Sequence, residues 1–434
     1  MAKRQTESSP LSRFAVLVAQ LESIVASAHQ QPPDPLLCFD LLSALVATIE
    51  EESQESIVKW QRKCEDALFS LLVLGARRPV RHLASSAMVR VIAKGDGISV
   101  YSRTSSLQGW LADSKRSEPL SCAGVSQCLG QLYHYFGRRI ISGLTETANI
   151  AAKLMKFHED FIRQDALQML ENALEGSGPG GASAAYTESF RIIMRLGVSD
   201  KAFTVRLMAA RCLKTYASIG GPNLGTTELE NSMSHCIKAL EDPVSSVRDA
   251  FAEALGALLA LVMNPAGQVN ARGKDHPGTA KKLDDILPKY LMSPFTRDSL
   301  FSGIHLKYHI PDNELQGYAV QAIDMLQGNA STDAHALLES AGHYPSAAIA
   351  TLRTMSYLLT TLGEVPSEFK EIIDDTVVAA LSHSSLHVRI EAALTMRALA
   401  EVDPYFCGWS YFLWCNNIIC FEGKCYKWKG EPDK

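Results

Sequence analysis

The chain has 434 residues, of which 47% are hydrophobic and only 8% aromatic, and its formal net charge is −5 at pH 7. A core made mainly of Leu, Ala, Val and Ile is typical of stacked helices, where small side chains let neighbouring helices approach closely. The mildly acidic balance excludes the concentrated basic face that nucleic-acid binding requires, so we expect no nucleic-acid partner.

The N-terminal residues predict a cytoplasmic chain. Met1–Pro10 is polar, and polar side chains interrupt the apolar stretch Phe14–Val25, so no signal peptide is expected. The longest uncharged apolar run, Ala254–Met263, is shorter than the ~20 residues that cross a bilayer, which predicts no direct transmembrane insertion. Single cysteines within apolar helical patterns are predicted to be reduced core residues: Cys38, Cys64, Cys122, Cys128, Cys212 and Cys236.

Three amphipathic stretches open the chain. They span Phe14–Val25, Leu36–Ile49 and Ile57–Leu74, and each has apolar residues at the three- and four-residue spacing of one helical face. We interpret residues 1–75 as an N-terminal helical cap.

The segment from Leu240 to Gly256 shows the repeat unit most clearly. Asp242 and Pro243 end one helix and start the next, because Pro cannot continue a helix but fits its first turn. Val247 then begins an apolar face with helical spacing. Arg248 leaves that face early in the helix, where we expect it to reach back to the turn of a neighbouring unit.

The same frame recurs along the chain. Its paired positions are Val80 and Arg81, Ile162 and Arg163, Val205 and Arg206, Val247 and Arg248, and Val388 and Arg389. Successive pairs start 82, 43, 42 and 141 residues apart. HEAT repeats of ~40–47 residues account for these spacings. The spacing of 82 corresponds to two units, those of 43 and 42 to one unit each, and that of 141 to about three units with an insertion. The pattern predicts an all-α HEAT/armadillo-type helical repeat solenoid, an α-α superhelix, with repeats over residues 76–263 and 304–404.

Three segments interrupt this rhythm. We predict that Gly176–Gly181 is a flexible linker between helices and that residues 264–303 are a flexible loop or insertion, because such Gly- and Pro-rich segments bury little apolar surface. Residues 405–434 form an aromatic and Cys-rich tail outside the repeat pattern. This tail is either native structure that covers the last repeat or the product of truncation or an alternative exon.

The sequence predicts no catalytic, cofactor-binding or metal-binding residues. Pro311 separates His305 and His309 from nearby carboxylates, and the tail cysteines at 415, 420 and 425 are one residue too far apart for a zinc pattern. Gly-rich phosphate loops and nucleophile elbows are absent from the sequence. We therefore expect a protein that is not an enzyme and needs no cofactor.

One basic group is a candidate partner-binding site. It comprises Arg77, Arg78, Arg81 and Arg90, which could bind phosphate or an acidic partner. The alternative interpretation is that these arginines serve solubility and bridge adjacent repeats.

Three joined segments resemble the HEAT repeat-containing protein 5 family. They are Ser121–Arg138, Lys201–Leu213 and the stretch from Thr227 through Arg248, and the resemblance extends over about residues 10–404. The family includes fungal Laa-type accessory proteins of clathrin adaptors, and its plant branch is the most similar. The resemblance implies endosome to trans-Golgi transport, endocytosis and protein localisation, with adaptor or coat accessory proteins as partners and peripheral membrane association through them.

Together these features predict a scaffold for protein–protein interaction. The preferred hypothesis is a role in vesicle-mediated transport on the cytosolic face of Golgi and endosomal vesicles. The alternative is a generic HEAT scaffold that serves as the regulatory subunit of a phosphatase or kinase complex.

Overall fold

The computed structural model is mainly helical in the residues that it describes. It describes residues 12–263 apart from 29, 31, 114–117 and 241, and then residues 344–365, 377, 380–381 and 385–404. No strand occurs among these residues. The chain divides after Asn223 into two compact units. The predicted loop at 264–303 and the predicted tail at 405–434 lie outside the described residues.

The first unit contains ten α-helices in the described part of the chain. They are α1 (Arg13–Ser27), α2 (Pro35–Glu51), α3 (Gln54–Val73), α4 (Arg78–Lys94), α5 (Ser99–Ala112), α6 (Pro119–Phe136), α7 (Leu144–Leu154), α8 (Asp160–Ser177), α9 (Ser183–Ile192) and α10 (Phe203–Ser218). Short 3-10 turns cover Ile141–Gly143 and Gly178–Gly180, and a π-helical turn covers Ile193–Gly197.

Local sequence explains where several of these helices begin. The side chains of Ser12, Asp34 and Ser53 accept hydrogen bonds from backbone N–H groups in the first turns of α1, α2 and α3. Proline occupies the first turn of α2, α4 and α6, where its missing N–H group costs nothing.

The helices of the first unit pack in two layers. In the even layer, α2, α4, α6, α8 and α10 each pack against the next, while in the odd layer α1 packs on α3, α5 on α7, and α7 on α9. The frame residues Val80, Ile162 and Val205 are at most 3% exposed and lie near the start of α4, α8 and α10. Successive helix pairs therefore bury the same frame position, as a HEAT-type array requires.

The Gly-rich segment at 176–181 is a packed corner, and the prediction of a flexible linker is wrong. A Cβ atom on Gly176 would lie 1.8 Å from the carbonyl oxygen of Tyr133, and one on Gly137 would lie 2.3 Å from the carbonyl carbon of Gly176. The hydroxyl of Tyr186 donates to the carbonyl of Gly178 and accepts from the N–H of Gly181. These glycines allow the ends of α6 and α8 to touch.

The second unit contains four α-helices among its described residues. They are α11 (Thr226–Ala239), α12 (Ser245–Met263), α13 (Tyr344–Leu362) and α14 (Leu386–Val402). The helix α13 packs against both α12 and α14. Val247 and Val388, the frame residues of α12 and α14, are fully buried.

The described helices α12, α13 and α14 of the second unit form one stack. The helix α13 lies between α12 and α14, which carry the frame residues Val247 and Val388. The sequence predicts about three units with an insertion for the 141 residues between these two valines, and most of that stretch lies outside the described residues. A Cβ atom on Gly256 of α12 would lie 2.8 Å from the carbonyl oxygen of Thr354 in α13.

Candidate functional site

The frame arginine of α8 stabilises the even layer from inside. The guanidinium of Arg163 donates to both carboxylate oxygens of Asp200, at 2.7 and 2.9 Å, and to the carbonyls of Phe157 and His158. The hydrogen bond to Asp200 raises the pKa of Arg163. Burial raises the pKa of Asp200, but hydrogen bonds from Arg163 and the N–H of Ala202 outweigh it, so this pKa is lower than usual.

Two further frame arginines bind the turn that precedes their own helix. Arg206 donates to the carbonyl of Asp200 at 2.9 Å, and Arg248 donates to the carbonyl of Asp242 at 2.7 Å. Each acceptor lies six residues earlier in the chain. The sequence predicts that Arg248 reaches the turn of a neighbouring unit. In the structure, this hydrogen bond instead joins Arg248 to the turn before its own helix. An arginine in the first turn points its side chain back toward the helix N-terminus, where its own turn presents free carbonyls.

The frame aspartate and proline shape the turn itself. The carboxylate of Asp242 accepts a hydrogen bond from the N–H of Val244 at 2.9 Å, two residues onward, and Pro243 is exposed between them. Asp200 makes the equivalent bond with the N–H of Ala202 at 2.8 Å. Such local side-chain bonds favour a turn over continued helix. Arg389 is half-buried at the corresponding position of α14.

Arg81 bridges three helices of the even layer. From α4 it donates to the side-chain oxygen of Gln127 on α6, at 2.9 Å, and to the carboxylate of Asp165 on α8, at 2.8 Å. Its side chain is 5% exposed and that of Asp165 is 15% exposed. Burial lowers the pKa of Arg81, and burial also raises the pKa of Asp165 although Arg81 and Arg78 act to lower it.

The four arginines of the candidate partner-binding site do not form one surface. Arg81 is buried in the ion pair just described, and Arg90 pairs with Glu50 of α2. Arg77 and Arg78 are exposed at the start of α4. Only these last two have guanidinium groups that solvent reaches freely and that no ion pair occupies within the described residues.

A groove of about 500 Å³ crosses the even layer over α4, α6 and α8. Its lining is rich in side-chain amides, and we call it the amide groove; its residues are Arg78, Pro79, His82, Gln127, Gly130, Gln131, Gln164, Asp165, Gln168, Met169 and Asn172. Gly130 lets α6 and α8 approach closely at the floor of the groove, because a Cβ atom there would lie 3.0 Å from the Cα of Met169. The sequence carries a signal for the groove in the four-residue spacing of these amides, but the predicted sites omit it.

Some groove amides are committed to the fold, and others are not. Gln127 accepts from Arg81 and contacts the ring of His82, while the Gln168 amide nitrogen contacts Glu171 at 2.7 Å and Asn172 at 3.3 Å. Gln131 and Gln164 are half-buried. Neither makes a side-chain hydrogen bond with another residue that the structure describes.

An arginine also links the three stacked helices of the second unit. Arg353 on α13 pairs with Asp249 on α12 and, through two hydrogen bonds of 2.7 and 3.1 Å, with Glu391 on α14. The bonds to Glu391 are the main reason that the pKa of Arg353 is raised. Ion pairs thus cross the helix stack in each unit.

The six predicted core cysteines have thiols that burial keeps protonated. All six predicted core cysteines are buried, and desolvation raises the pKa of each thiol, to about 12 for Cys128. A thiol becomes a nucleophile as its thiolate, which burial suppresses here. Among the described residues, no group of three His, Cys, Asp or Glu side chains is placed to hold a metal ion, and no helix is long and apolar enough to cross a membrane.

Sequence comparison identifies both the repeat and a relative. The family model of the HEAT repeat matches residues 233–262, which include most of α12. The chain is 52% identical over 450 aligned positions to Protein SWEETIE of Arabidopsis thaliana, which covers 93% of the chain. The chain spans 20% of the length of that relative. This match confirms the predicted resemblance.

Two solved structures of engineered proteins have some likeness to the chain. An engineered protein shares 15% identity, with 90% of this chain and 92% of that chain covered and a TM-score of 0.37. A designed armadillo repeat protein in complex with the peptide (KR)4 shares 12% identity over 68% of this chain and 98% of its own, with a TM-score of 0.33.

Proposed function

We propose that this Sweetie-like HEAT repeat chain is a non-enzymatic scaffold that holds proteins of vesicle-mediated transport. The observation that carries the proposal is the even layer, in which stacked helices present a polar surface with a groove across three of them. A repeat array offers area and shape for a partner rather than a deep reactive pocket.

The transport role is supported by family resemblance. The chain resembles the HEAT repeat-containing protein 5 family, whose fungal members assist a clathrin adaptor. Adaptor or coat accessory proteins are accordingly the proposed partners, and the cytosolic face of Golgi and endosomal vesicles is the proposed location. Membrane association would then be peripheral and depend on these partners.

Proximity labelling with the full chain in cells tests this role. A labelling enzyme fused to the chain is compared with the same enzyme fused to a variant carrying Gly176→Val, which disrupts the contact between α6 and α8. We expect coat and adaptor components to be enriched with the native chain only. Selective enrichment of a phosphatase or kinase catalytic subunit would instead support the regulatory-subunit hypothesis, and equal labelling by both fusions would contradict specific binding.

A further inference from the structure

We propose that the amide groove binds an extended, acidic peptide segment of a partner protein. The inference rests on the proposed scaffold function and assigns it a site. It depends on three features of the groove: unused hydrogen-bonding groups, their spacing, and the charge left over after internal ion pairing.

The groove offers polar groups that the fold does not use. The side chains of Gln131 and Gln164 make no hydrogen bond within the described residues, and both are half-buried at the groove wall. A side-chain amide presents both a donor and an acceptor, as a peptide group does. An extended peptide can satisfy these amides with its own N–H and C=O groups, which are all free when it is not part of a helix or sheet.

The amide spacing matches an extended chain. Gln164, Gln168 and Asn172 follow one another at four-residue intervals on α8, as do Gln127 and Gln131 on α6. Four helical residues rise by about 6 Å. Two residues of an extended strand advance by about 6.6 Å, so alternate peptide groups of a ligand can face Gln164, the Gln168 side-chain oxygen and the Asn172 amide nitrogen. The hydrogen bonds of Gln168 to Glu171 and Asn172 occupy the Gln168 nitrogen and the Asn172 oxygen.

The remaining charge selects an acidic ligand. Asp165 is the carboxylate in the groove lining, and its ion pair with Arg81 neutralises it. Arg78 is exposed at the same end and acts on Asp165 through charge alone. Because the unneutralised charge of the lining is positive, an acidic side chain of the peptide pairs with Arg78 in a charge-assisted hydrogen bond.

Fluorescence anisotropy with defined peptides tests the proposal on the full chain. The probes are a blocked peptide of alternating Glu and Ala, its Lys and Ala counterpart, and the acidic peptide with alternate backbone nitrogens methylated. We expect the acidic peptide to bind, and the basic and methylated peptides to bind at least about tenfold more weakly, since they lack the charge or the donors.

Matched variants locate the binding. Arg78→Gln should weaken binding of the acidic peptide about tenfold, whereas Arg77→Gln, an exposed neighbour outside the groove lining, should leave it unchanged. The double variant Gln131→Leu with Gln164→Leu should also weaken it about tenfold. Its control is Gln54→Leu, on the exposed first residue of α3. Circular dichroism melting confirms that each variant is folded.

Several outcomes would overturn the proposal. These are no binding of the acidic peptide, equal binding of the methylated peptide, complete displacement by inorganic phosphate alone, or equal effects of the Arg77 and Arg78 substitutions. If the groove variants lose peptide binding but proximity labelling finds no transport proteins, the site stands and the transport role falls. If labelling succeeds and the groove variants change nothing, the scaffold role stands and the groove assignment falls.

Discussion

The contact between α6 and α8 differs sharply between its two regions. At the closed end, Gly137 and Gly176 bring the two backbones together and leave no room for a single added carbon atom. At the other region, the amide groove runs over the helix surfaces, and Arg81 of α4 bonds both Gln127 of α6 and Asp165 of α8. One helix pair therefore combines a backbone contact with a polar cleft.

The difference shows how an array can be rigid and still present a site. Close backbone contact at the glycines holds the two helices at a defined distance. Gly130 is a second point of close approach between the same helices, and the amide groove lies over it. The Arg81–Asp165 ion pair at the groove adds less to the stability of the fold than the glycine contact does. Removing two charges from water offsets most of the attraction between them.

The largest expected effect comes from Gly176→Ala at the closed end. The new Cβ atom would lie 1.8 Å from the Tyr133 carbonyl oxygen, so the helices must separate. Overpacking of a core costs ~1–3 kcal/mol and sometimes more, and we expect a loss of about 3 kcal/mol in the free energy of unfolding. Urea denaturation followed by circular dichroism measures it.

Gly178→Ala is the matched control for this change. Gly178 has φ +62°, and a Cβ atom added there would have no neighbouring atom within 4 Å, so alanine meets only backbone strain. With ψ −156°, Gly178 lies in a region that other residues rarely adopt, and such strain costs ~1–3 kcal/mol. Equal losses for the two alanine substitutions would show that backbone conformation, rather than helix contact, is what Gly176 provides.

A smaller effect is expected at the groove from Arg81→Met. This substitution leaves the carboxylate of Asp165 without its partner at 2.8 Å, and we expect a loss of about 2 kcal/mol. Adding Asp165→Leu should restore stability to within about 1 kcal/mol of the original, because replacing a buried pair with apolar side chains is often nearly neutral.

A double-mutant cycle on these two positions checks the prediction by urea denaturation. The exposed Arg77→Met variant is the control and should change stability by no more than about 0.5 kcal/mol. The double variant could instead lose as much unfolding free energy as the two single variants together. That result would show that Arg81 and Asp165 act independently, and it would contradict a small net contribution of their ion pair.

The smallest expected effect is an opposite pH dependence of two aspartates. The pKa of Asp165 is raised by burial, so its contribution is fully present below the unfolded pKa near 3.9 and is lost as the pH rises through the folded value. The pKa of Asp200 is lowered despite burial, so its contribution is present above about pH 3.9 and is lost as the pH falls through the folded value.

Stability measured from neutral to acidic pH distinguishes the two sites. The difference in unfolding free energy between the original chain and Asp165→Asn should grow in favour of the original chain on acidification. The difference from Asp200→Asn should shrink. The same sign for both variants would mean that the two arginine–aspartate pairs have equivalent surroundings.

Much of the fold could be predicted from the sequence because helical periodicity is local. The apolar spacing around Val205, Val247 and Val388 indicates buried helical positions, and those residues are fully buried. The predicted stretch Leu36–Ile49 lies within α2. Both predictions depend only on residues within a few turns of each other.

The tertiary structure alone decided what happens between helices. The glycine content of residues 176–181 predicts flexibility. In the structure, the small size of Gly176 instead allows close packing against Tyr133, which lies 43 residues earlier. The sequence places Arg81 in a basic group with Arg77, Arg78 and Arg90. In the structure, Arg81 pairs with Asp165, which lies 84 residues away. The amide groove likewise depends on three helices that stacking brings together. Sequence pattern reports which face of a helix is buried, whereas the partner of that face depends on contacts that the chain makes only when it is folded.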